Sequence, residues 1–247
     1  MKINISKQDR EALNKVFENF GRKKTEEEIF YDLCFVIMAP QTRFENNIKV
    51  IQKLKKLDFY YFGEAYEGYC GIEQIEEILK PVRFYKNKTK YLLEAKKKFP
   101  EILKVIASLD TWDNKQSIHV VDVYKIREWL IDNVKGLGMK TASHFLRNLG
   151  DYNLSILDTH ILKFIAFNPM YLMLIKDLSE GIIIVYVNQA FKERYKSLLK
   201  LISNKKGYLL LEKVFQKIAE ENTMTPAYLD AYLWKTYSGT NWNVFKY

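Results

Sequence analysis

Two glycines flank one leucine between two segments of helical period, and no other feature constrains the fold of this chain as tightly. The stretch reads Val134-Lys135-Gly136-Leu137-Gly138-Met139-Lys140, with an amphipathic segment from Val123 to Asn133 before it and another after it. Gly136 and Gly138 allow a tight turn with positive φ and close approach of the backbone. Leu137 plugs the turn from inside. The spacing predicts a helix-hairpin-helix, whose exposed turn amides head the second helix and can hold a nucleic-acid phosphate. Lys135, Gly136 and Gly138 are therefore candidate DNA-binding positions.

The second helix divides into two faces. Ala142, Phe145, Leu146 and Leu149 recur at i, i+3, i+4 and i+7 and form an apolar stripe. Lys140, His144 and Arg147 share another face at i, i+4 and i+7, which could look into a DNA cleft. His144 could equally be a satisfied structural histidine. For Lys140 the plain alternative is a phosphate-contacting or solvated lysine.

Elsewhere the pattern is almost entirely helical. Ser6 with Asp9, Thr25 with Glu28 and Thr42 with Glu45 read as capping signals. They predict helices over 7–20, 26–38 and 43–57. A short helix falls between Gly71 and Pro81, a long basic helix covers 83–99, and Pro100 leads into a separate helix over 101–109. Thr225-Pro226 starts a last helix that Gly239 ends. The expected fold class is all-α and two-lobed, one domain over 1–247. The hairpin occupies 122–167, and the C-terminal helices lie in 207–247. Residues 168–206 form an insertion of open role, whose β-branched run at 182–187 could be a short strand.

Apolar residues make up 48% of the chain, which excludes a disordered protein, and the formal net charge of +9 suits a polyanionic partner. Two cysteines and three scattered histidines offer neither a disulfide framework, nor an iron–sulfur cluster, nor a zinc site. No apolar run reaches the ~20 residues of a membrane span, and the N-terminus lacks the apolar core of a signal peptide. The expectation is a monomer without metal or organic cofactor, cytoplasmic or nucleoid-associated.

Asp158 follows Lys140 by eighteen residues, in Ile156-Leu157-Asp158-Thr159-His160. This pair resembles the active-site pair of the helix-hairpin-helix DNA glycosylases that also cleave the strand. Within that superfamily the wording is most similar to the archaeal-type 8-oxoguanine DNA glycosylase/lyases. The strings that carry the resemblance are Arg127-Glu128-Trp129-Leu130, Lys135-Gly136-Leu137-Gly138, Ala142-Ser143-His144-Phe145-Leu146-Arg147-Asn148 and Leu157-Asp158-Thr159-His160-Ile161-Leu162. Met38-Ala39-Pro40-Gln41-Thr42, Arg83-Phe84-Tyr85-Lys86-Asn87-Lys88 and Leu229-Asp230-Ala231-Tyr232-Leu233-Trp234 corroborate it.

The resemblance implies a DNA N-glycosylase with lyase activity that acts on duplex DNA carrying oxidised bases or abasic sites. Lys140 would be the nucleophile. A lysine amine attacks only as the free base, so the site must disfavour the ammonium. Asp158 would stabilise positive charge on the sugar; it also reads as an ordinary helix N-cap, and the two roles are compatible. His160 resembles a family position near the lesion's phosphate, with a solvated histidine as the alternative. Gln41 aligns with a residue directed toward the DNA gap, or is simply a turn residue after Pro40. Phe35 and Trp234 are candidate walls for the extruded base, or core aromatics. Lys86, Asn87, Lys88 and Lys90 suit phosphate contact. The family pattern places a lysine soon after the tryptophan, at the base pocket; here Lys246 lies farther on, which loosens the base preference. Two rivals remain: the same chemistry on another oxidised base, and a non-catalytic DNA-binding module.

Overall fold

The computed structural model describes residues 3–61, 72–107, 120–178 and 190–238. Twelve helices occur among the described residues: α1 (Lys7–Gly21), α2 (Glu26–Met38), α3 (Phe44–Lys56), α4 (Ile72–Leu79), α5 (Tyr85–Ala107), α6 (Val120–Asn133), α7 (Met139–Asn148), α8 (Thr159–Phe167), α9 (Pro169–Leu178), α10 (Phe191–Leu201), α11 (Lys205–Glu221) and α12 (Pro226–Ser238). No strand occurs among those residues. The run at 182–187, the cysteine at 70 and the tail from 239 lie outside them.

Side-chain caps mark the first two helix starts as the sequence predicts. The Ser6 hydroxyl accepts from the Asp9 amide at the head of α1. Thr25 and Glu28 form a complete capping box: the Thr25 hydroxyl accepts from Glu28 N, and the Glu28 carboxylate accepts from Thr25 N. The third expected cap is different. α3 starts one residue later, with Arg43 at the cap position and no side-chain bond there, because the Thr42 hydroxyl is engaged by Lys88 instead.

Pro100 does not divide two helices as the sequence suggests; α5 runs through it. A proline inside a helix removes one donor and crowds the preceding turn. Here Leu92, Ala95, Phe99, Ile102 and Ile106 are all buried at helical spacing on both sides of it. One unbroken apolar stripe holds the helix together across the missing hydrogen bond.

The chain divides into two compact units, 23–149 and 1–22 with 150–247. In the first, α2 is the central helix: nine of its thirteen residues are buried, and it packs against α3, α5 and α7. α6 packs on α7 to complete the hairpin. In the second unit α8 is central, in contact with α9, α10 and α12, while α11 supports α9, α10 and α12. The described part of the 168–206 segment is thus two helices packed on α8 and α11. Buried Tyr171, Leu172 and Ile175 show why its first apolar run is core.

Candidate active site

The hairpin turn is closed by the Leu137 amide donating to the Val134 carbonyl at 3.1 Å. Gly136 is the third residue of that turn and has φ +90°, a conformation that favours glycine. A Cβ on Gly136 would also meet the Tyr91 ring at 2.9 Å and Ile37 at 3.3 Å. Gly138 is unlike it. Its φ is −128°, extended backbone open to any residue, and a Cβ there would meet nothing within 4 Å. Only Gly136 carries the positive φ expected of both. Gly136→Ala should therefore cost more than about 1 kcal/mol, and Gly138→Ala should leave the fold intact, as paired urea titrations would show. What Gly138 does provide is an exposed, bare backbone at the entrance to α7.

α7 begins at Met139, and the Thr141 hydroxyl accepts from the Gly138 amide at 2.8 Å. The leading amides of a helix have no acceptor within it and carry the positive end of its dipole. Lys140 is the second residue of this helix and is exposed. Lys135, also exposed, pairs with Glu94 at 2.9 Å. Arg127 is buried against α7, donating to the Ser143 hydroxyl at 2.9 Å with its guanidinium over the Tyr124 ring. The two hairpin helices are thereby fastened by a buried polar bond as well as by apolar contact.

The face holding Lys140, His144 and Arg147 is graded rather than uniformly open. Lys140 is exposed, His144 half-buried, and Arg147 only 5% exposed, donating to the Asn148 side chain. The His144 ring stands edge-on to Phe35 at 5.9 Å, and Phe35 in turn meets Phe44 at 5.8 Å. Phe35 is itself buried. Burial, then the charges of Arg147 and Lys140, hold the His144 imidazole well below its ordinary 6.5. An unfolded chain takes up that proton as pH drops through 6.5, whereas the folded one does not, so stability falls over that window. Urea titrations on either side of it should show the loss, and His144→Gln should reduce it.

At the end of α2, Gln41 is exposed with φ +57°. Lys88 was expected on a phosphate-contacting face, but it is 5% exposed and its Nζ donates to the Met38 and Pro40 carbonyls and the Thr42 hydroxyl. Burial pushes its pKa down to about 8. Its position in a basic run hid this, because exposed and buried lysines look alike in sequence.

In the second unit, Asp158 is the N-cap of α8. Its Oδ1 accepts from the His160 amide at 2.7 Å and the Ile161 amide at 3.0 Å. Its Oδ2 has no bond to the described residues. The non-helical segment leading to it turns tightly just before the cap, with the Asp158 amide donating to the Ile156 carbonyl at 2.8 Å, and is braced by α11. The Tyr208 hydroxyl donates to the Ser155 carbonyl at 2.8 Å and accepts from the Leu157 amide at 3.3 Å, while the Glu212 carboxylate accepts from the Ser155 amide. Both side chains are buried. Neither was singled out from sequence, although a glutamate among buried Tyr208, Leu211 and Phe215 on one helix face was a visible signal. Tyr195 on α10 also faces Asp158: burial and then that carboxylate's charge raise its pKa. His160 is half-buried, with an Nδ1 that finds no partner among the described residues. Trp234 packs against Val16 and Phe20.

Lys140, Lys135, Gly136, Gly138, His144, Arg147, Phe35 and Gln41 thus belong to one unit, and Asp158, His160 and Trp234 to the other. Among the described residues no three acidic, histidine or cysteine side chains group as a metal site, and no helix is long and apolar enough to cross a membrane.

An all-helical chain with a hairpin of this geometry has the fold of the helix-hairpin-helix DNA glycosylases. It superposes on the crystal structure of the Methanocaldococcus jannaschii 8-oxoguanine DNA glycosylase with a TM-score of 0.62 at 26% identity, over 94% of this chain and 88% of that one. The sequence profile described as 8-oxoguanine DNA glycosylase matches residues 10–198, and the chain belongs to that family. It is 30% identical over 227 residues to the 8-oxoguanine DNA glycosylase/AP lyase of M. jannaschii, covering 90% of this chain and 86% of the relative. It is 38% identical over 150 residues to the protein of that name from Fusobacterium nucleatum, covering 60% of this chain and 63% of the relative.

Proposed function

We propose that this chain is a bifunctional DNA glycosylase/AP lyase that excises 8-oxoguanine from duplex DNA. The observation that carries the mechanism is an exposed lysine at the second position of α7, directly after the hairpin turn. The leading amides of α7 and Lys135 take the backbone phosphates, and the net charge of +9 favours that polyanion.

The Lys140 amine attacks C1′ of the extruded nucleotide as the glycosidic C1′–N bond breaks, and that bond's electron pair leaves with the base. The Asp158 carboxylate stabilises the positive charge that develops on the sugar. The amine loses its proton and the sugar ring opens to a C1′ iminium. Loss of a C2′ proton then expels the 3′ phosphate with the C3′–O electron pair, nicking the strand. Hydrolysis of the iminium returns the lysine. Phe35 and Trp234 are the proposed aromatic surfaces for the base; His144, His160 and Gln41 act toward the DNA, while buried Arg147 supports the hairpin helix from inside. The chemistry needs neither metal nor organic cofactor, and the chain acts as a monomer in the cytoplasm, on the nucleoid.

Borohydride reduction during incubation with a duplex holding one 8-oxoguanine opposite cytosine tests the whole reading. A covalent complex is expected. A complex on abasic DNA alone would keep the lyase chemistry and reject 8-oxoguanine in favour of another lesion. Binding without any complex would leave a DNA-binding module.

A further inference from the structure

The Lys88 ammonium has three donors, and three oxygens of one short loop meet them: Met38 O at 2.8 Å, Pro40 O at 2.7 Å and the Thr42 hydroxyl at 3.1 Å. No carboxylate balances this charge among the described residues. A buried ammonium without an anion is costly, and burial accordingly depresses its pKa to about 8. Paired hydrogen bonds to a loop are the compensation, so what the arrangement secures is the loop.

Gln41 stands between two of the anchored residues. It is exposed and left-handed, one of four described non-glycine residues with positive φ. Such strain persists only where the surroundings over-determine it. The same ammonium holds residues on both sides of Gln41, and the Thr42 amide closes the turn onto the Ala39 carbonyl at 3.1 Å. The backbone is fixed, while the amide side chain is left to solvent. The loop leaves the end of α2, the helix whose Phe35 touches His144 of the hairpin. A continuous packed path within one unit therefore joins the anchored loop to the hairpin.

We propose that Lys88 is a positioning residue: its buried ammonium locks residues 38–42 so that Gln41 projects into the gap that an extruded nucleotide leaves in the duplex. This rests on the DNA-repair function proposed above. The variants are Lys88→Met, which keeps length but removes all three donors, and Thr42→Val, which removes one acceptor and leaves the lysine in place.

The full chain is titrated onto a duplex with a tetrahydrofuran abasic analogue and 2-aminopurine opposite it, a ligand that needs no catalysis. Binding should raise the fluorescence of the unstacked analogue. At saturating protein, Gln41→Ala and Lys88→Met should each lose most of that rise, and the double variant should lose no more than either. Thr42→Val should lose part of it, and decides the matter should Lys88→Met not fold. A wild-type rise in Lys88→Met, or in Thr42→Val where that variant decides, overturns the proposal. So does a further loss in the double variant, or an undiminished rise in Gln41→Ala. Failure of the wild type to bind the duplex overturns the repair function as well; binding with no Lys88 effect overturns only the positioning role.

Discussion

Lys140→Gln is expected to yield no borohydride-trapped complex on any substrate and to slow strand cleavage by roughly 10³-fold or more. Glutamine nearly matches lysine in length and helix propensity, but its amide nitrogen is not nucleophilic. Lys140 is exposed at the second position of α7, so its replacement should move stability by no more than about 0.5 kcal/mol. Duplex binding should survive, with a salt dependence lowered by about one phosphate contact at most. Single-turnover cleavage, trapping and a binding isotherm on one preparation separate these effects. Retention of trapping by the variant would transfer the nucleophile to another amine and remove the central residue of the mechanism.

Asp158→Asn separates two roles that sequence cannot separate. As an N-cap the side chain only has to accept from the His160 and Ile161 amides, which it does through Oδ1 alone. Asparagine caps about as well as aspartate, so thermal stability should scarcely change. As an electrostatic partner it must carry negative charge, which asparagine does not, and glycosylase turnover should fall by roughly 10²–10³-fold. Asp158→Ala adds the lost cap, worth about 1 kcal/mol. An Asn variant with normal turnover and an Ala variant that is merely less stable would reduce Asp158 to a cap.

The hairpin, its lysine and the capping aspartate were legible because each depends on local chemistry: a glycine in a turn, a residue at a helix start, a carboxylate before an apolar run. The helices capped by Ser6 and Thr25 were legible for the same reason. Pro100 misled because its local meaning is a helix stop, and only the burial of Phe99, Ile102 and Ile106 reverses it. Thr42 misled likewise, since its hydroxyl serves a lysine 46 positions away. Arg147 and Lys88 read as surface cations because their burial is decided by packing partners remote in sequence. Gly138 was given the same conformational need as Gly136, and dihedral angles alone tell them apart.

The brace on the Asp158 segment bears on how this chain tolerates change. Ser155 and Leu157 are held by side chains 51 to 57 positions downstream, with α9 and α10 in the intervening sequence. The closure entropy of a flexible connection grows only as the logarithm of its length, by about 0.6 kcal/mol per doubling. With both ends pinned, the connections between the intervening helices, though not the packed helices themselves, can lengthen or shorten at little thermodynamic cost to the aspartate. The same wiring delays assembly: as the chain leaves the ribosome, the segment before the aspartate lacks these bonds until Tyr208 and Glu212 have been synthesised and α11 has docked. A product that stops short of them would contain every residue of the hairpin and Asp158 itself, yet lack the bonds that hold the segment just before that carboxylate.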